Sequence, residues 1–316
     1  MSLRQWLWLG VLAFFWGSAF IFMELALPTF APIAVVMGRM SIAALVLNVL
    51  VWQRSLGAKP LGQSADRQST EPLKKMPLTV WLKCGGLSIV SNLLPFTLIV
   101  WGQQHISASL ASILVTAAPL FTVVIAALWT SEKLTVARGL GVVLGFAGVV
   151  VLVGPEVLRG FSLQGIGELA ILAAAFSYAV AGFVGKRLSH IPSQLVSRMT
   201  ATMGALIVVP IGVGSAFLSG VPLASEWQWS AVLAVVCLGV FSTAIAYLIY
   251  YRLLAEAGVV NTSLVSFLVP LSALLLGSIF LQEQLNSADI IGMTLILSGL
   301  AVLDGRLINR ALKGLS

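Results

Sequence analysis

The chain is 316 residues long, 59% hydrophobic and only 9% charged, with a formal net charge of +7 and a mean hydropathy of +1.03. A soluble domain carries about 25% charged residues, so this composition excludes one and defines an all-α integral membrane protein. In such a chain the positive charge is no sign of nucleic acid; it marks the loops held on one side of the bilayer.

Crossing a hydrocarbon core takes about 20 apolar residues. Ten segments fit, at approximately 6–26, 29–52, 78–101, 106–129, 136–154, 164–185, 196–218, 229–251, 261–281 and 287–305. The first is longer than the 7–15-residue core of a signal peptide and is expected to be retained. Most connections are a few residues, so consecutive spans are antiparallel neighbours. The long connection, 53–77, holds Pro60, Pro72 and Pro77 among polar residues and reads as a flexible cytoplasmic loop without a catalytic pattern. With the N-terminus inside, sixteen Lys and Arg fall on the cytoplasmic side, only Arg159 falls outside, and Arg39 lies within a span. That asymmetry predicts both termini in the cytoplasm.

The second half of the chain repeats the first. Under a shift of 151 residues, 11 of the 48 pairs between His105/Glu256 and Leu152/Leu303 are identical, including Pro119/Pro270, Glu132/Glu283, Gly141/Gly292 and Gly148/Gly299. Further back, Pro32 and Arg39-Met40 resemble Pro192 and Arg198-Met199 at a shift of about 159, the long loop taking up the difference. Five spans precede the boundary near Glu156–Leu163 and five follow, and an odd number per copy inverts the second one in the membrane. The expected organisation is a first repeat at 1–155, an inverted second repeat at 162–306 and a cytoplasmic tail at 307–316.

Arg39 lies some ten residues into its span, roughly 15 Å deep at 1.5 Å per residue, where a charge costs about 2.5–3.5 kcal/mol and needs a partner or a wet cavity. It reads either as a contact for an anionic or carboxylate group in the pathway or as a structural arginine bonded to carbonyls or paired with Glu24. Arg198 sits nearer the cytoplasmic interface, where a long side chain can snorkel. Glu168 reads as a proton-coupling group or as a residue facing the external interface, and Glu132 and Glu283 as loop caps or salt-bridge partners.

Asn92, Phe96, Ile99 and Gln103 share one helical face, and the shift carries them onto Thr243, Tyr247, Tyr250 and Leu254. Amide, hydroxyl and aromatic groups on one face of a lipid-embedded helix point to protein or water. Ser109, Ser112 and Thr116 form a hydroxyl face with Ser263 and Ser266 opposite, which serves substrate or close helix packing. Pro119 and Pro270 read as paired hinges or as kinks. Trp16 and Trp101 are candidate pocket walls, whereas Trp6, Trp8, Trp52, Trp81, Trp227 and Trp229 cluster at span ends as interfacial anchors.

Gly141, Gly145 and Gly148, with Gly292 and Gly299, read as helix-packing positions. Cys84 and Cys237 do not correspond under the shift and suggest no disulfide. There is no G-x-x-x-x-G-K-[ST] for ATP, and His105 and His190 lie far apart on opposite sides, leaving no metal or catalytic constellation. The chain is expected to be neither an enzyme nor a cofactor protein.

These motifs resemble the ten-span drug/metabolite transporter superfamily, specifically its EamA-type members. The resemblance rests on Phe15-Trp16-Gly17-Ser18-Ala19-Phe20, Arg39, Pro119, Glu132-Lys133-Leu134, Gly141 and Gly148, with Pro270, Glu283-Gln284-Leu285, Gly292 and Gly299 repeating the later part. It implies a bacterial inner-membrane carrier whose central cavity is lined by spans three, four, eight and nine and closed by one, two, six and seven. It implies export of amino acids, related metabolites or lipophilic drugs. Span six departs from the family's Trp-Gly signature with Phe176-Ser177-Tyr178, so only Tyr178 is carried over as an aromatic wall.

The expected function is secondary or facilitated export of small organic solutes by alternating access, through a cavity of Trp16, Asn92, Phe96, Tyr247 and Tyr250 with small hydroxyl residues. Sparse charge suits a zwitterionic or apolar ligand better than a phosphorylated one. The rivals are a lipophilic-drug exporter, an importer of the same build and a non-transporting membrane protein. Expected partners are a small-molecule substrate, the bilayer and protons, in a monomer or homodimer.

Overall fold

The computed structural model describes residues 2–55, 73, 76–129, 136–158, 162–220 and 222–304. Most of the long loop, Glu132, Arg159 and the C-terminal tail lie outside them. The described residues are mostly helical, with one isolated β-bridge among them, between Phe30 and Ala224. In chain order the helices are α1 Leu3–Ala26, α2 Pro32–Ser55, α3 Leu78–Gly102, α4 Ala108–Val115, α5 Ala118–Trp129, α6 Val136–Leu158, α7 Leu163–Lys186, α8 Ser193–Ser219, α9 Trp229–Ala257, α10 Val259–Thr262, α11 Val265–Phe280 and α12 Ser287–Asp304.

Seven of the expected spans are long and apolar enough to cross a bilayer: α1, Pro32–Leu50 of α2, α3, Ala108–Leu128, α7, α8 and α9. The other three contribute shorter apolar helices, Arg138–Val153, Val265–Phe280 and Ser287–Leu303. Apolar side chains such as Leu45, Leu128, Val143, Leu206, Phe217 and Leu275 stand exposed on the outside of the bundle, where hydrocarbon rather than water accepts them.

Local chemistry sets the ends and interruptions. Ser2 and Gln5 close a capping box at the start of α1, the Gln5 N–H donating to Ser2 Oγ at 3.3 Å and the Ser2 N–H to Gln5 Oε1 at 2.9 Å. The expected fourth and ninth spans are each broken, the fourth between Val115 and Ala118 and the ninth between Thr262 and Val265. Backbone carbonyls near the breaks take side-chain donors, Thr116 Oγ1 to Ser112 O at 2.9 Å and Thr262 Oγ1 to Gly258 O at 2.9 Å. The breaks are not equivalent. Pro119 is the second residue of α5, where its missing N–H costs nothing, whereas Pro270 lies inside α11.

Two helices carry a π-helical segment, Ile89–Leu93 in α3 and Val240–Ile245 in α9. These are 151 residues apart, the same shift that relates the two halves of the sequence. Such bulges leave carbonyls without their usual partner and are frequent at functional sites. Here Ser177 Oγ donates to Val90 O at 2.8 Å, and Thr243 Oγ1 to Leu238 O at 2.8 Å, five residues back.

Packing is reciprocal. Helix α1 lies against α9 and α11, while α7 lies against α3, α4 and α5; α2 packs on α8, and α6 on α12. The α6–α12 contact is antiparallel and glycine-mediated: a Cβ on Gly148 would meet Gly292 O at 2.6 Å, and one on Gly141 would meet Gly299 O at 2.8 Å. Only glycine permits that approach.

Candidate substrate site

The centre of the bundle is built around Arg39, which is 5% exposed. Its Nε donates to Thr243 Oγ1 at 2.9 Å, its guanidinium carbon stands 3.6 Å from the centroid of the Phe96 ring, and Nη1 reaches Met23 Sδ at 4.0 Å. Among the described residues no carboxylate pairs with it. Glu24 instead takes a hydrogen bond from Gln103 Nε2 at 3.3 Å, so the alternative of an Arg39–Glu24 pair does not form. An aromatic face and a hydroxyl stabilise the cation but leave most of its N–H fork free of an ionic partner.

Helix geometry brings the matched faces together here. Asn92, Phe96, Ile99 and Gln103 are all buried, and Asn92 Oδ1 accepts from Tyr247 Oη at 2.8 Å. Tyr178 and Tyr247 lie close enough to Arg39 to interact with it electrostatically. From Tyr247 an aromatic path runs to Tyr251 at 6.4 Å between ring centroids, on to Tyr250 at 5.2 Å, and from there to Trp16 at 5.5 Å. Arg39, Asn92, Phe96, Tyr178, Thr243, Tyr247, Tyr250 and Trp16 thus form one connected amphipathic cluster.

Other predicted residues stand elsewhere. Trp101 packs edge-on against His105 at 4.9 Å, toward the end of the bundle where α3 terminates. Ser112 and Thr116 are buried, and their hydroxyls bond to carbonyls of their own helix turn, Ser112 Oγ to Ser109 O at 2.7 Å. Ser266 is half-buried, whereas Ser263 is exposed in the turn between α10 and α11. Glu168 is 1% exposed, so it does not face an interface; Gln164 Nε2 donates to its Oε1 at 3.4 Å. Arg198 does not snorkel either: it is 8% exposed and donates from Nε to Asn48 Oδ1 at 2.9 Å.

A cavity of about 380 Å³ opens at the end where α1, α3 and α11 finish, lined by Glu24, Gln103, His105, Ser107, Leu281 and Glu283 among others. None of the predicted substrate residues lines it. Its acidic wall is set by a backbone turn. Helix α11 ends with Gln282 in the left-handed region (φ 54°), and the Glu283 N–H returns to Gly277 O at 3.2 Å, six residues back. That turn aims the Glu283 carboxylate at the start of α4, where Oε1 accepts from the Ala108 N–H at 2.8 Å and Oε2 from the Ser109 N–H at 3.0 Å and from Ser109 Oγ. Glu283 is therefore a cap on the positive end of a helix. A Cβ at Gly277 would lie 2.6 Å from both Glu283 Oε2 and Ser109 Oγ. The sequence flagged Glu283 as a cap, but nothing in it joined Gln103 to Glu24.

The family model of the EamA-like transporter family matches residues 4–154 and 165–303, and the chain belongs to that family. It is a multi-pass membrane transporter of the EamA, drug/metabolite type, a class that acts on small molecules within a lipid bilayer. It is 29% identical over 215 residues to an uncharacterized transporter of Bacillus subtilis, covering 68% of this chain and 72% of that one. It is 25% identical over 312 residues to a Streptantibioticus cattleyicolor protein described as a probable terminal-alkyne amino-acid exporter, covering 98% and 97% of the two chains. A protein of known crystal structure shares the fold, with a TM-score of 0.63 and 21% identity over 99% of both chains.

Proposed function

We propose that the protein is a secondary carrier that exports amino acids or related small zwitterions across the bacterial inner membrane by alternating access, and that Arg39 receives the carboxylate. The observation that carries this reading is a buried guanidinium with an aromatic ring beneath it, a hydroxyl beside it and no carboxylate paired to it among the described residues. A buried cation without its counter-ion is costly, and an anionic group of the cargo relieves that cost only while it is bound. Asn92, Phe96, Tyr178, Thr243, Tyr247, Tyr250 and Trp16 form the rest of the site. Trp101, Ser112, Thr116, Ser263 and Ser266 belong to the path on either side, and Glu168 is the proton-coupling candidate.

The organisation proposed with it is ten spans in two inverted five-span repeats, 1–155 and 162–306, with both termini cytoplasmic. Three observations support it: the family model matches two successive segments, the π segments fall 151 residues apart, and the contacts of α1 with α9 and α11 are mirrored by those of α7 with α3, α4 and α5. The lysine and arginine bias of the loops supports the orientation. The broken helices at Val115/Ala118 and Thr262/Val265 serve as hinge points with Pro119 and Pro270 beside them. The relative described as an amino-acid exporter supports the substrate class.

The test is counterflow in proteoliposomes: radiolabelled phenylalanine or leucine outside, the unlabelled amino acid inside. Accumulation of label is the expected result, and an imposed proton gradient that changes it brings in Glu168. No exchange of either amino acid overturns the substrate class and moves the reading to lipophilic compounds.

A further inference from the structure

Arg39 does not line the cavity beside Glu24. Phe96, under the guanidinium, and Gln103, in the cavity wall, are both on α3 and seven residues apart, about 10 Å along the helix axis at 1.5 Å per residue. The two charged groups of an α-amino acid cannot bridge that distance. The geometry points to a second station, in which Glu24, Gln103 and Glu283 receive the primary ammonium group of the cargo at the outward mouth of the path.

Three observations converge on a cation with N–H donors. First, Gln103 is 2% exposed and its Oε1 has no hydrogen-bond partner among the described residues. Its orientation is fixed, because the other end of the amide faces two acceptors, Phe20 O at 2.9 Å and Glu24 Oε2 at 3.3 Å, and must present N–H to them. A buried acceptor left empty costs free energy until a donor arrives. Second, among the described residues neither Glu24 nor Glu283 is paired with a lysine or arginine. Glu283 is held in place by Ala108 and Ser109 and acts as a fixed negative charge, while Glu24 accepts the Gln103 bond. Third, the space is about 380 Å³, within the range of small-molecule sites and far larger than a bare metal ion needs. A primary ammonium brings three donors to three oxygen acceptors.

This station rests on the amino-acid reading for its place in transport but not for its chemistry, and the experiment separates the two. Full-length protein in lipid nanodiscs is titrated with phenethylamine and, separately, with phenylethyl alcohol, at about pH 8, where carboxylates are ionised and a primary amine is still protonated. The amine is expected to raise the thermal unfolding midpoint saturably, and the alcohol not. Glu24→Gln keeps the shape and the Gln103 contact, and is expected to demand about tenfold more amine for the same shift. Glu24→Asp should recover part of the loss, and the unliganded midpoints of both variants report whether they fold. Equal shifts from amine and alcohol, or an undiminished amine response in folded Glu24→Gln, overturn the station. Amino-acid counterflow with the same wild-type protein reconstituted in liposomes then separates the claims: Glu24-dependent amine binding without counterflow sinks the transport reading alone, and counterflow with Glu24-independent amine binding sinks the station alone.

Discussion

Arg39 and Arg198 occupy matched places in α2 and α8, both buried, yet they do different work. Arg198 is tied to Asn48, whose Nδ2 bonds on to Thr202 Oγ1 at 3.0 Å, so that its charge is spent in joining two helices. Arg39 meets Thr243, the face of Phe96 and a thioether, and lies next to the π segment of α9. The backbone is duplicated and the charge placement is not. On the proposed reading the two halves rock against each other, and divergence of a few side chains makes the half that holds Arg39 the binding half.

The largest expected effect breaks that comparison directly. Arg39→Met should lower amino-acid counterflow on the order of a hundredfold, the cost of losing an ionic contact to the cargo, while leaving the unfolding midpoint unchanged or raised, because a buried charge without a counter-ion is replaced by an apolar chain of similar length. Arg198→Met should do the reverse. It leaves the half-buried Asn48 Oδ1 without its donor, a loss of about 1 kcal/mol, and so lowers the midpoint with a much smaller effect on exchange by the molecules that fold. If both variants lose stability and transport together, the two arginines are equivalent and the proposed division of labour is wrong.

A second test asks whether the α6–α12 contact is as symmetric as its glycines suggest. Gly148→Leu drives a side chain into the backbone at Gly292, and overpacking of this kind costs about 1–3 kcal/mol. Gly292→Leu should cost a similar amount, since a Cβ there already meets Leu152 and Gly148 O. Midpoints that fall for one variant and not the other would show that the halves have diverged in their packing as well as in their polar residues.

What was legible in advance follows the same division. The helical nature of the chain, its shift of 151 and the buried face of Asn92, Phe96, Ile99 and Gln103 could be read because hydrophobic period and residue identity carry them. The π segments could not, since IVSNL and VFSTAI hold no residue that forbids a regular turn; the bulge is closed by partners such as Ser177, 87 residues away in sequence from Val90. Arg39 was visible as an anomaly, but its neighbours Thr243 and Phe96 become neighbours only through packing of α2 on α9 and α3. The Glu24–Gln103 wall was missed for a related reason. Both residues lie near helix ends, where a polar side chain is unremarkable until the cavity between the ends is seen.

The smallest expected effect sharpens the comparison of the two π segments. Asn92 and Thr243 hold equivalent positions, but Asn92 accepts from Tyr247 while Thr243 accepts from Arg39. If the Asn92–Tyr247 bond tethers one bulge to the other, the double-mutant cycle of Asn92→Ala and Tyr247→Phe should show a coupling of about 0.5–3 kcal/mol in stability. The same cycle for Asn92→Ala and Thr243→Val should show less, because no hydrogen bond joins those two side chains. Counterflow on the four proteins of the first cycle adds the functional half: a bond that opens during alternating access contributes to one state only, so breaking it should change the exchange rate by a different factor than it changes the unfolding equilibrium. Equal couplings in both cycles would mean that the two bulges communicate through the backbone packing of α3 and α9 rather than through this side-chain bond.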